Sequence, residues 1–193
     1  MRGTVTLAAL VIVGAAAYYA WPRQAGEVAS TTAGDEESNS FLDAVDTMTS
    51  KLTGWPAGSG PYQETIAASA AKYNVPVMLL AWLLWKESRY NPAIIDGTKR
   101  SAVGAMGIAQ FMPATAQQEL GSVAAALDPW KAIPGAARYL GKLYNSAGSW
   151  AGALAAYNWG IGNVQRKGIA LAPPETVDYY TTILARAGIE EMV

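Results

Sequence analysis

Residues 75–88 read VPVMLLAWLLWKES, a helix-length run with large apolar side chains on nearly every side. A helix with no polar face cannot lie on a surface, because its apolar area would stay in water. It has to run through the middle of a shell of other elements. Pro76 fits the start of that helix, where a missing N–H costs nothing. The run ends on Lys86, Glu87 and Ser88. Whatever encloses the helix therefore also encloses an acid at its tip.

The surrounding segments are helical in period. Ile66, Ala70 and Tyr73 share one face of a preceding helix. Pro113 opens a helix over Ala114 to Leu120, and Gly121 ends it. Asp128 and Pro129 start a turn, and Pro134 is expected to open the next helix, with Ala137, Leu140 and Tyr144 inward. Ser149 can cap a helix containing Leu154 and Ala155. A last helix begins near Pro174, with Val177, Tyr180 and Leu184 on one face. No segment sustains period-two alternation, so the expected fold class is all-α.

The N-terminal third differs in composition. Thr4 to Trp21, TVTLAALVIVGAAAYYAW, carries no charge. As a helix it would span about 27 Å, close to the roughly 30 Å hydrocarbon core of a bilayer. Tyr18, Tyr19 and Trp21 cluster at its far end, where interfacial aromatics belong. Residues 1–21 are expected to form an N-terminal transmembrane anchor. A cleaved signal peptide is the competing reading, although Trp21-Pro22 makes a poor cleavage site. A buried core helix is a third. Residues 22–60 read as a flexible linker, polar and acidic at first, with a short amphipathic helix on Phe41, Val45, Met48 and Leu52. The glycines and proline of 54–60 then break the chain. Residues 61–193 form the expected folded helical domain.

Composition removes whole classes of chemistry. The chain has no cysteine and no histidine. Ser-His-Asp and Cys-His catalysis, thiolate attack and Cys/His zinc sites are all excluded. Carboxylates, lysines and tyrosines remain as acid–base groups. With 14 Lys+Arg against 15 Asp+Glu, no basic field marks a nucleic-acid partner.

Glu87 follows Leu80 by two turns and Leu83 and Leu84 by one, so partial desolvation should raise its pKa. The plain alternative is a helix-end glutamate, solvated or paired with Lys86, Arg89 or Lys99. Its neighbours in sequence bear on the choice. Glu87-Ser88 is followed by Tyr90-Asn91-Pro92. Ser101, Gly104-Ala105 and Gly107 precede Gln110, Met112-Pro113 and Thr115-Ala116. Asp128-Pro129 and Ala137-Arg138-Tyr139-Leu140 come next. Ala156-Tyr157-Asn158 with Gly160, then Pro174-Glu175-Thr176 with Tyr179, complete the series. Each alone reads as turn glycines, core tyrosines or loop-bridging amides.

Taken in order over residues 61–187, these motifs resemble the soluble-type (SLT, lysozyme-like) lytic transglycosylase family. The resemblance implies a lysozyme-like helical domain acting on peptidoglycan glycan strands, with no cofactor and no metal. It implies that Glu87 protonates the glycosidic oxygen between N-acetylmuramic acid and N-acetylglucosamine. It implies that Ser88 orients the carboxylate or holds an N-acetyl group, that Tyr179 hydrogen-bonds Glu87, and that Gln110, Tyr157 and Asn158 line the cleft with Met106 on its wall. The chain departs from the family pattern at Ala109, where a methionine is usual, and at Tyr180, where a valine is usual. The first should leave the cleft wider or differently filled.

Three other functions compete. A hydrolytic muramidase of related fold needs a second carboxylate; Asp96 is the nearest candidate and reads better as a solvated turn residue. A non-catalytic glycan-binding module has no need of a desolvated acid. A membrane scaffold explains the anchor but not the motifs. With the anchor, the expected location is the bacterial cell envelope, the catalytic domain on the extracytoplasmic side, in an envelope-spanning complex or a phage particle.

Overall fold

The computed structural model describes residues 54–99 and 101–191. The apolar run 4–21, the spacer up to residue 53 and the amphipathic segment around Phe41–Leu52 lie outside them. The described part is all-α, with one isolated antiparallel bridge between Met106 and Phe111. Among the described residues no helix is long and apolar enough to cross a membrane.

The helices run in chain order as α1 (Gln63–Tyr73), α2 (Val77–Ser88), α3 (Pro92–Ile95), α4 (Pro113–Leu120), α5 (Pro129–Ala147), α6 (Trp150–Trp159), α7 (Ile161–Lys167) and α8 (Pro174–Ala187). α2 is the central helix that its composition demands. Leu79, Leu80, Leu83 and Leu84 are completely buried, each worth about 1.5–3 kcal/mol of transfer free energy. α1 covers one side of α2 and α8 another, while α6 packs on both α5 and α8. α5 is amphipathic: Ile133, Ala136, Ala137, Leu140 and Leu143 face the core. α4 runs from Pro113 to Leu120 and stops at Gly121, whose φ of 79° suits a residue without Cβ.

Two boundaries fall earlier than the sequence pattern suggests. α5 starts at Pro129, not Pro134. Asp128 caps it, its side chain accepting from Trp130 N at 3.0 Å and its carbonyl from Ala132 N at 2.8 Å. Pro134 is carried in the second turn. The folded domain also begins before residue 61. Pro56 and Ser59 are buried, and Trp82 on α2 donates to Gly54 O at 3.1 Å. The break at 54–60 is thus a packed turn that leads into α1, not the end of a free spacer.

Candidate active site

α2 ends in two consecutive left-handed residues, Arg89 (φ 55°) and Tyr90 (φ 51°). Such backbone costs on the order of 1 kcal/mol per non-glycine residue and persists only where neighbours hold it. Here they do. Ser88 Oγ donates to Leu84 O at 3.0 Å and accepts from Tyr90 N at 3.2 Å. Tyr90 is buried and its hydroxyl donates back to Ala81 O at 2.8 Å. The Arg89 guanidinium lies 3.6 Å from the Trp85 ring centroid. Asn91 then caps α3 by accepting from Ala93 N at 2.9 Å. The Glu-Ser-x-Tyr-Asn-Pro stretch is therefore a reversal that turns the chain sharply away and leaves Glu87 at the tip of the core helix.

The Ser88 hydroxyl, for which the resemblance implies a role at the carboxylate or an N-acetyl group, faces the backbone. The residue is completely buried and its hydroxyl is engaged on both sides by backbone. It ties down the helix end.

Glu87 is partly buried. Tyr179 on α8 donates its hydroxyl to Glu87 Oε1. Loss of water around the carboxyl pushes its pKa up from 4.5 to about 7, against the opposing influence of the Tyr179 hydrogen bond and the Lys86 charge. Among the described residues Glu87 joins no ion pair. Lys86 turns to Asp178 at 2.7 Å, and Arg89 to Trp85.

Tyr157 on α6 belongs to the same group. Burial raises its hydroxyl well above the usual tyrosine range, and the Glu87 charge adds to the rise. Tyr179 is raised in the same way, by burial first and then by Glu87. Tyr157 donates to Ala109 O at 2.9 Å, and its ring rests 5.5 Å from Tyr139 and 6.3 Å from Phe111.

Ala109 sits in a tight hairpin. Met106 and Phe111 exchange hydrogen bonds of 3.1 and 3.0 Å at its base. Gln110 closes it with φ 46°, its side-chain Nε2 donating to Gly107 O at 2.8 Å. Gly107 is required here: with φ 72°, a Cβ on it would stand 1.7 Å from Ala126 O. Ala109 is itself completely buried. Tyr180, the other departure, is buried in the core.

Asn158 follows Tyr157 and is exposed. Its Oδ1 accepts from the buried Thr176 hydroxyl at 2.7 Å, which leaves its NH₂ to donate elsewhere. Met106 is half-buried and lines a hollow of about 280 Å³ with Ile94, Lys99, Pro113 and Leu127. A larger open depression of about 450 Å³, along Glu64, Ala68, Lys72 and Pro134, contains none of the Glu87 group. Its volume says nothing about chemistry.

Glu87, Tyr179 and Tyr157 are thereby brought together from α2, α8 and α6, and the Gly107–Gln110 hairpin is tied to them through Ala109 O. Asp96 is fully exposed and lowered in pKa by hydrogen bonds from Thr98. It is the solvated turn aspartate of the plain reading. Sequence reasoning weighed Lys86 only as a partner of Glu87 and passed over Asp178 and Glu191. The first two precede Glu87 and Tyr179 directly, so the second pairing between α2 and α8 had a signal in the sequence. Glu191 had none: its carboxylate accepts from Trp150 N and Ala151 N, at 2.9 and 2.8 Å, at the start of the helix that carries Tyr157.

The chain is similar to known proteins. Residues 64–170 match the family model described as "Transglycosylase SLT domain". A curated protein named "Transglycosylase", from Enterobacteria phage PRD1, is 40% identical over 104 residues, which cover 54% of this chain and 37% of that protein. The aligned region thus spans little more than a third of the relative's length. Glu87, Met106, Gln110, Tyr157 and Asn158 lie within the residues matched by the family; Tyr179 and all of α8 lie beyond them.

Proposed function

The chain belongs to the transglycosylase SLT domain family, and from that membership we propose that it is a peptidoglycan lytic transglycosylase with Glu87 as its single acid–base group. Glu87 protonates the oxygen between N-acetylmuramic acid and N-acetylglucosamine, and the C1–O bond breaks. The resulting carboxylate takes the proton of the muramoyl C6 hydroxyl. That oxygen closes on C1, giving a 1,6-anhydromuramoyl end without water. Tyr179 holds the carboxyl in place through both steps. Gln110, Tyr157 and Asn158 supply amide and hydroxyl groups to the sugars, and Met106 an apolar wall.

One observation carries the reading: a partly buried glutamate, held by a tyrosine hydroxyl, whose pKa lies near 7. Such a group is an acid and a base at neutral pH. Hydrolysis ordinarily uses a second carboxylate. Asp96 is exposed and held by Thr98, and Asp178 is bonded to Lys86, which favours the intramolecular route.

Purified peptidoglycan digested with the chain should yield anhydromuramoyl ends on mass spectrometry. Reducing ends that incorporate oxygen from labelled water would replace the proposal with a hydrolytic muramidase. Binding without any product would make the chain a glycan-binding module. Glu87→Gln should abolish cleavage in a folded protein, and substantial residual cutting would remove Glu87 from the role. For location, we infer that residues 4–21 tether the domain to a membrane on the extracytoplasmic side. The phage origin of the matched relative supports a virion-associated setting. Deleting residues 4–21 should release the chain from membranes; retention would refute the tether.

A further inference from the structure

Two adjacent residues on α2 meet two adjacent residues on α8. Glu87 accepts from Tyr179, and one position back Lys86 Nζ binds Asp178 Oδ2 at 2.7 Å. The pair is asymmetric. The Lys86 side chain is only 19% exposed, whereas that of Asp178 is 69% exposed. Thr182, one turn along α8, donates to Asp178 Oδ1 at 3.4 Å. The lysine is thus drawn to the rim of the site by a carboxylate anchored on the facing helix.

We propose that Asp178 is a positioning residue that acts through Lys86, holding the ammonium in an ion pair so that its charge does not strip the proton from Glu87. A lysine next to a catalytic acid works against it, because a nearby cation favours the carboxylate. Lys86 does oppose the rise in the Glu87 pKa, but only as the weakest of the three influences on it. The other ionisable groups around Glu87 are Asp178 and Tyr179 on α8, and Tyr157 on α6 backed by Tyr139 on α5. Arg89 is held over Trp85, and the Gly107–Gln110 hairpin carries no ionisable side chain. Among the described residues, Asp178 is therefore the carboxylate that neutralises the lysine adjoining the acid. Its partner position precedes the tyrosine that binds Glu87, so one helix supplies both the hydrogen bond and the counter-charge. This role deepens the proposed function and rests on it, since it assigns a purpose to the pKa of Glu87.

The experiment measures that pKa directly, by carboxyl-carbon NMR titration of the full chain, with the Glu87 resonance identified by its loss in Glu87→Gln. Asp178→Asn should lower the Glu87 pKa by roughly half a unit or more, as an unpaired charge at this range in a partly solvated site would. Lys86→Met should raise it. In the Lys86→Met background, Asp178→Asn should produce a much smaller shift than in the wild type, because its route of action has gone. Equal shifts in both backgrounds, or no shift on Asp178→Asn, would overturn the proposal. If Asp178→Asn fails to fold, a Lys86→Met pKa that is unchanged or lowered overturns it equally. Shifts as expected in a chain that does not cut peptidoglycan would sink the proposed function and leave the pairing intact. Cutting with an unmoved pKa would do the reverse.

Discussion

Burying an acid at the tip of the core helix has a thermodynamic consequence that Glu87→Gln isolates. In the unfolded chain Glu87 ionises near 4.5, and in the folded chain near 7. The folded state therefore binds more protons between those values. Stability is fully supported by this group below about pH 4.5 and falls as the pH rises through about 7. At about 1.36 kcal/mol per pH unit, a separation of about 2.5 units amounts to about 3.4 kcal/mol. Water reaching the partly exposed side chain brings the expected figure nearer 2 kcal/mol. Glutamine keeps an acceptor for Tyr179 and carries no charge. Glu87→Gln should thus match the wild type in stability near pH 4 and exceed it by about 2–3 kcal/mol near pH 8. Urea denaturation of both proteins at the two pH values measures this. The difference between the two pH responses cancels every other titrating group. A difference below about 0.5 kcal/mol would refute the reasoning, because a carboxyl that costs nothing to ionise in the fold is not desolvated.

Gly107→Ala should be among the most damaging single substitutions in the domain. It sets a methyl 1.7 Å from Ala126 O at a φ of 72°, and a loss of about 3 kcal/mol or more is expected in urea melts; a change under 0.5 kcal/mol would show that the hairpin yields freely. Glu191→Ala removes the carboxylate that accepts from Trp150 N and Ala151 N, at a cost of about 1 kcal/mol. Those two amides should then exchange hydrogen faster, and unchanged exchange would mean that Ser149, which accepts from Gly152 N, caps the helix unaided.

The cost at Glu87 is of the same order as the burial of one leucine of α2, and α2 buries four of them completely. That comparison explains why the acid sits where it does. A core helix can carry one ionisable group against its own stability, and the apolar run that made the helix legible also raises the pKa of the acid at its tip.

Much of the architecture was legible because it is local. The all-apolar surface of α2 dictated its burial. Pro113 and Gly121 bounded α4, and Ser149 capped α6, because proline geometry, a left-handed C-cap and a side-chain cap act within one turn of the residue that provides them. The start of α5 was misread where two such signals competed: Asp128 with Pro129 opens a helix that tolerates Pro134 in its second turn. The packing of residues 54–60 was hidden because their glycines signal a break, and nothing local shows that Trp82 and Gly54 meet across 28 positions.

The sequence by itself singled out Glu87 for the proposed reaction, since the chain lacks histidine and cysteine and the acid stands first in the ordered series of motifs. It also set out, in order, the motifs that surround that acid. Only the tertiary structure decided what each neighbour does. It sent the Ser88 hydroxyl into the backbone, tied Tyr157 to a carbonyl of the hairpin, and brought Asp178 and Tyr179 to face Lys86 and Glu87 from 92 positions away. Desolvation and charge pairing depend on what lies within a few ångströms, and chain order does not specify that until the helices pack.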